Sequence, residues 1–109
     1  MDWLQVETTS DFAHLVPDVM LDAVEDALQR RMSGLATPLS SYINRVYEVQ
    51  AGDGERLIAK FYRPGRWSRE AIQEEHAFTL DCAEAEIPVA APIALPSGRT
   101  LHEADGILF

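Results

Sequence analysis

The sequence predicts an α+β domain: an antiparallel sheet of about five strands, with one helix ahead of it and a second helix packed on it. Three observations predict this class. Apolar residues recur at helical spacing twice, across residues 19–28 and again after Ser68. Between these runs, two segments of strand composition, 45–50 and 57–62, flank a glycine-bearing turn. Beyond residue 87 short apolar runs alternate with proline and glycine, as short strands and turns do.

Residues 1–16 read as a lead-in segment, and 17–109 as the domain proper. Pro17 and Asp18 open the first helix, because proline suits a first turn and an acid suits the positive end of the dipole. Val19, Met20, Ala23, Val24, Ala27 and Leu28 form its apolar face; Arg30 and Arg31 favour its C-terminal end, and Gly34 marks a stop. Pro38, Leu39, Ser40 and Ser41 lead into the strand at 45–50. Ala51-Gly52-Asp53-Gly54-Glu55 is a hairpin turn, its glycines supplying positive φ at little cost. The strand at 57–62 returns, and Arg63-Pro64-Gly65-Arg66 breaks it. Ser68 is an N-cap for the second helix, which runs to about Ala85 with Glu70 near its positive end. Ile87-Pro88 ends that helix. Residues 89–109 read as two or three short strands, with turns at Pro96-Ser97-Gly98 and Asp105-Gly106.

The 109 residues make one domain, and 47% apolar with 25% charged residues is the composition of an ordinary folded protein. A net charge of −9 argues against nonspecific affinity for nucleic acid or anionic membranes, whose phosphates it would repel. No apolar stretch approaches the ~20 residues of a membrane span. The first seven residues carry acid where a signal peptide needs base, which reads as cytoplasmic. Cys82 is the single cysteine, so an intrachain disulfide and a thiolate metal cluster are excluded. His14, His76 and His102 lack any ligand spacing, and no protein-built metal site is expected.

Lys60 is the only lysine, and it lies inside the otherwise apolar run Leu57-Ile58-Ala59-Lys60-Phe61-Tyr62. A lysine there either snorkels to water or meets an anion, since an unpaired buried charge is expensive. Alternation along the strand puts Lys60 on one face with Ile58 and Tyr62, and Leu57, Ala59 and Phe61 on the other. If the second set packs on a helix, Lys60 and Ile58 face a cleft. On the second helix, Ala71, Phe78, Cys82 and Ala85 project as an apolar arc with Ile72 at its edge, and Glu75 falls inside it. A carboxylate in a buried stripe needs a cation, and Lys60 is the candidate partner.

A strand lysine paired to a helix glutamate, beside a hairpin whose turn faces phosphate, is the arrangement of a protein-kinase N-terminal lobe. The loop Ser40-Ser41-Tyr42-Ile43-Asn44-Arg45 would then cover the phosphates. It lacks GxGxxG, so it fails the eukaryotic kinase signature, but Ser41 and Asn44 offer side-chain hydrogen bonds. Ordinary turn chemistry is the alternative for both.

The segments SGLATPLSSYINRVYEV, IAKFYRPGRW, EEHAF and IPVAAPIAL resemble the N-terminal lobe of the bacterial stress response kinase A family. These are serine/threonine protein kinases with the fold of aminoglycoside and choline phosphotransferases. The resemblance runs from about Phe12 to Phe109. It implies a kinase-like N-lobe that binds ATP, with Ser41 at the phosphates, Lys60 as the ATP-binding lysine, Glu75 as its helix partner, and Val46 and Ile58 lining the adenine pocket. Ile43 departs from the pattern, standing where an acid is expected. Family members continue into a C-lobe with HGDxxxxN- and DxD-like motifs that carry the catalytic aspartate and the Mg²⁺ ligands; this chain contains neither motif. The apolar run Gly106-Ile107-Leu108-Phe109 looks cut inside an element, just before the hinge between lobes.

The leading expectation is therefore the nucleotide-binding lobe of an ATP-dependent serine/threonine kinase, inactive without its C-lobe, with a protein substrate in the full-length enzyme. A small-molecule phosphotransferase acting on an aminoglycoside, choline or homoserine-like alcohol shares the same N-lobe motifs. A stand-alone interaction module, with lysine and glutamate as a structural salt bridge, is the third reading. Arg63, Arg66 and Arg69 read as a solvated connector. An isolated lobe, with an open edge and an uncovered cleft face, is expected to self-associate.

Overall fold

The computed structural model describes Phe12 and residues 15–109. Its elements are α1 (Pro17–Leu28), β1 (Met32–Leu39), β2 (Arg45–Ala51), β3 (Arg56–Phe61), α2 (Arg69–Glu84), β4 (Glu103–Ala104) and β5 (Ile107–Leu108). Strands β1, β2 and β3 form one antiparallel sheet in that order, and β4 and β5 pair in a separate ribbon. The expected α+β lobe is present, but its strands divide between two sheets instead of one.

Helix α1 begins with proline in its first turn and Asp18 beside it, and buries Met20, Ala23, Val24 and Ala27. It ends earlier than Gly34 suggests, because Gln29 takes a left-handed conformation (φ 55°) and closes the helix with its N–H on the Glu25 carbonyl. The chain is thereby free to start β1 at Met32. Gly34 (φ +99°) instead lies within that strand, where the register with β2 slips between Met32 and Ala36. Pro38 is tolerated there because β1 is an outer strand, whose N–H groups need no partner on one side. The Glu25 carboxylate accepts from the Met32 N–H at 2.8 Å, tying the helix to the strand it precedes.

The β2–β3 hairpin pairs Tyr47 with Ala59, Val49 with Leu57 and Arg45 with Phe61 on one face. Its apolar members bury against α1 in a cluster with Phe12, Leu15, Met20, Val24 and Ile107. Phe12 and Leu15 extend the domain upstream of residue 17; residues 1–11, 13 and 14 of the lead-in, with His14 and the acidic N-terminus among them, lie outside the described residues. Phe61 is 1% exposed, with Phe109 stacked on it at 4.6 Å and Tyr47 edge-on at 6.4 Å.

A second, smaller cluster of Tyr62, Ile72 and Leu101 holds α2. Ser68 caps this helix as its sequence suggests, its hydroxyl accepting from the Ala71 N–H at 3.1 Å. The ribbon joins the two clusters: Ile107 enters the first, Leu108 packs on the second, and the Tyr62 N–H donates to the Leu108 carbonyl at 2.8 Å. Residues 89–95, expected to contribute a strand, carry no regular structure. Pro88, Pro92 and Pro96 recur every fourth position and remove donors that a strand needs. The outward edge of β3 is left unpaired in the sheet order. Among the described residues, no helix is long and apolar enough to cross a membrane.

The buried stripe of α2 differs from the projection made on apolar residues. Ile72 and His76 are buried, whereas Phe78 is 69% exposed. At about 100° per residue, Phe78 lies about 120° round the helix from Ile72. Phe61→Ala is expected to lower stability by about 3–5 kcal/mol, as loss of a core ring does, and Phe78→Ala by no more than about 0.5 kcal/mol. Equilibrium urea unfolding checks both; comparable losses would show that α2 is rotated from the phase described.

Candidate functional site

The face of the sheet opposite α1 is open. Val46 stands directly across from Lys60 and Leu39 across from Val46, so cross-strand pairing gathers them, and Ile58 two residues away, on that face. Ile58 is 60% exposed and Lys60 is exposed beside it. An apolar platform of Leu39, Val46 and Ile58 results, with the Lys60 ammonium at one end and the Glu48–Arg56 ion pair at the other. The alternation read from the sequence is the one observed.

A cavity of about 320 Å³ opens beside the platform. Residues from both faces of β3 line it, Ile58 and Lys60 from one and Leu57 and Ala59 from the other, so it wraps round the strand's unpaired edge. Glu75, His76 and Thr79 of α2 face it from one side, and residues 90–93 from another. Of the expected site residues, Lys60, Glu75 and Ile58 thus meet at one cavity, while Ser41, Asn44 and Val46 do not line it.

Lys60 and Glu75 share this space without forming an ion pair. Among the described residues the carboxylates within 4.0 Å of a cation are those of Asp26, Glu48, Asp53, Glu55 and Glu103, none of them paired to Lys60. The Lys60 ammonium rests instead over the Tyr62 ring, 5.2 Å from its centroid. This corrects the expectation of Glu75 inside a buried stripe. With Ile72 and His76 as the buried positions, Glu75 lies at the stripe's margin and is exposed. Water reaches the carboxylate, so burial does not compel it to pair.

The loop between β1 and β2 is held from one end. The Arg63 N–H donates to Asn44 Oδ1 at 3.1 Å, and Arg63 Nε donates to the Ile43 carbonyl at 2.8 Å. The Asn44 carbonyl oxygen is thereby engaged, leaving its NH₂ as the side chain's donor. Ser41 is exposed, and Tyr42 at the tip is 98% exposed. Arg63 and Arg45 also flank the buried Phe12 ring, at 4.9 and 5.0 Å from its centroid. The arginines read as a solvated connector therefore have distinct places: Arg63 holds the loop, Arg66 lies over Trp67, and Arg69 pairs with Glu103.

The residues that the sequence left unassigned are Tyr62, His76 and Thr100. His76 is 9% exposed. Its Nε2 meets the Tyr62 hydroxyl at 3.0 Å and its Nδ1 meets Thr100 Oγ1 at 2.8 Å. The available signal was the i, i+4 spacing of Ile72 and His76, which the larger Phe78 outweighed. Burial holds the His76 imidazole below its ordinary range; Glu75 pulls the other way and the Lys60 charge adds to the depression. Burial likewise pushes the Tyr62 hydroxyl up to about 12, with the Glu75 charge adding to it.

The profile of the phosphotransferase enzyme family matches residues 35–109. Stress response kinase A of Escherichia coli O157:H7 is 48% identical over 98 residues, covering 90% of this chain and 29% of that protein. Stress response kinase A of Salmonella choleraesuis is 50% identical over 95 residues, covering 87% and 28%. The serine/threonine protein kinase RdoA of Salmonella typhimurium is 49% identical over 95 residues, again covering 87% and 28%. The chain therefore spans less than a third of the length of the curated relatives it matches.

The shifts at His76 and Tyr62 have opposite consequences for stability. The unfolded state protonates histidine near 6.5, above the folded pKa, so stability is present above that pH and declines as pH falls through the depressed value. The unfolded state ionises tyrosine near 10, below the folded value of about 12, so stability declines as pH rises between them. Urea unfolding across pH should show both flanks, and His76→Gln should flatten the acid flank below 6.5. An unchanged acid flank in that variant would contradict the assignment.

Proposed function

The chain belongs to the phosphotransferase enzyme family, and we propose from that membership that it is the nucleotide-binding lobe of an ATP-dependent serine/threonine protein kinase. The carrying observation is the placement of Lys60: an exposed ammonium without an ion-pair partner among the described residues, at the end of an apolar platform and on the wall of a cavity. Adenine would lie on Val46 and Ile58, which offer flat apolar surface. Lys60 would meet the α- and β-phosphates as a point charge. Glu75, which lines the same cavity, would steady the ammonium once nucleotide is bound. Ser41 and the NH₂ of Asn44 supply donors from the loop over the phosphates.

ATP with Mg²⁺ supplies the phosphoryl group and the charge neutralisation of its transfer. Among the described residues, no three His, Cys, Asp or Glu side chains are grouped to hold a metal ion. By the family resemblance, we propose that the metal ligands and the catalytic base belong to the C-lobe of the full-length enzyme, and that the protein works in the cytoplasm, where ATP is supplied. A protein hydroxyl is the proposed acceptor, because one of the relatives carries the name serine/threonine protein kinase.

In the complete gene product, Lys60→Met should weaken ATP binding by calorimetry at least about tenfold, the loss of a charge-assisted contact to phosphate. Unchanged affinity would leave Lys60 and Glu75 as surface charges on an interaction module. The 109 residues alone should transfer no phosphate from labelled ATP to protein, since the HGDxxxxN- and DxD-like motifs do not occur in them; labelling by the isolated chain would overturn this. Labelling of an aminoglycoside or choline but not protein by the complete enzyme would move it to small-molecule acceptors. The isolated chain should also self-associate in light scattering through its open edge and uncovered platform, and a monomer at high concentration would count against that.

A further inference from the structure

We infer that Tyr62, His76 and Thr100 form a positioning relay that sets the rotation of α2 about its axis and so carries Glu75 to the Lys60 side of the cavity. The inference rests on the reading of Lys60 as the nucleotide-gripping residue, and adds to it a group that never touches nucleotide.

Helix α2 has a thin apolar anchor. Its buried residues are Ile72 and His76, and the first belongs to a cluster of three buried side chains. A helix fixed at one apolar point can roll, because hydrophobic contact is non-directional. Hydrogen bonds are directional, and His76, one turn after Ile72, has both ring nitrogens engaged. The two hydroxyls come from separately placed segments. Tyr62 follows β3 and is locked to the ribbon through its N–H on the Leu108 carbonyl. Thr100 precedes Leu101, which is 3% exposed in the same small cluster. The imidazole is thus gripped at once from the residue after β3 and from the segment ahead of β4.

The relay also touches both charges of the site. Lys60 lies over the Tyr62 ring, and Glu75 directly precedes His76 on the helix. Rolling α2 enough to break either hydrogen bond swings Glu75 by the same angle.

The test is calorimetry of a non-hydrolysable ATP analogue with Mg²⁺ on the complete gene product. His76→Ala should weaken binding by about tenfold, within the coupling range of groups in one hydrogen-bond network. His76→Gln, which keeps an amide that can both donate and accept, should restore most of that loss. In a Glu75→Gln background the effect of His76→Ala should shrink to within about twofold, because the group being positioned is no longer a carboxylate. An undiminished effect in that background, or no effect of His76→Ala at all, would overturn the relay. If His76→Ala does not fold, Tyr62→Phe and Thr100→Val each remove one hydroxyl, and the same comparison with Glu75→Gln decides. Lys60→Met separates the two levels. If it binds as the parent does, the nucleotide reading fails and the relay with it; if it abolishes binding while His76 and Glu75 are independent, the relay alone fails.

Discussion

The site depends first on the register of one hairpin. Side chains on β2 and β3 alternate, so a slip of one residue would send Lys60 into the α1 core and Phe61 into water. The turn between them is built to prevent that. The Ala51 N–H donates to the Glu55 carbonyl at 2.8 Å, and Asp53 Oδ1 accepts from the Glu55 N–H at 3.0 Å. Gly54, at φ +96°, takes a conformation that a side chain would strain. Arg30, just past α1, then bridges the carboxylates of Asp53 and Glu55. The Asp53 carboxyl is held below the usual range by the Glu55 N–H, and the Arg30 charge contributes. The side-chain contacts among these are exposed and individually weak; the joint effect of all of them is to define which residues face each other.

From that register follow two clusters of unequal size. The larger holds α1, β2 and β3 through Phe61, Val49 and Met20. The smaller holds α2 through Ile72, Tyr62 and Leu101. Adjacent residues of β5 serve one each, which a strand can do because its side chains alternate. Local opening is easiest where buried apolar contact is least, so the α2 side is the softer half. The α2 residues that face the cavity, Glu75, His76 and Thr79, are charged or polar, and their arrangement is set by hydrogen bonds more than by packing.

Much of this was legible in the sequence. The hairpin, its turn, the Ser68 cap and the face assignment of Ile58, Lys60 and Phe61 are local matters, and alternation or capping rules state them. Membership of the family was legible too, in the segments around Lys60 and Glu75. Four features were not. Strand β1 was obscured by Gly34 and Pro38, which signal interruption locally but are accommodated by a slipped register and an outer edge. The phase of α2 was misplaced because Phe78 dominates its apolar arc, yet the neighbouring small cluster has room for Ile72 and a hydrogen-bonded imidazole instead. The unpaired state of Lys60 and Glu75 could not be read for the same reason: a carboxylate thought buried demands a cation, and one at the margin does not. Arg63 was invisible as well, since its contacts join residues 12, 43 and 44 across the fold.

Arg63 has a further effect on the energetics of the loop it holds. With Ile43 and Asn44 pinned, conformational freedom between β1 and β2 is concentrated in residues 40–42. Ordering one backbone residue costs about 1–2 kcal/mol. A ligand that draws this loop down therefore forfeits the entropy of about three residues rather than five, a saving of about 2–4 kcal/mol. The arginine needs no contact with that ligand to raise its affinity. Its contribution is made beforehand, as disorder already removed from the free protein.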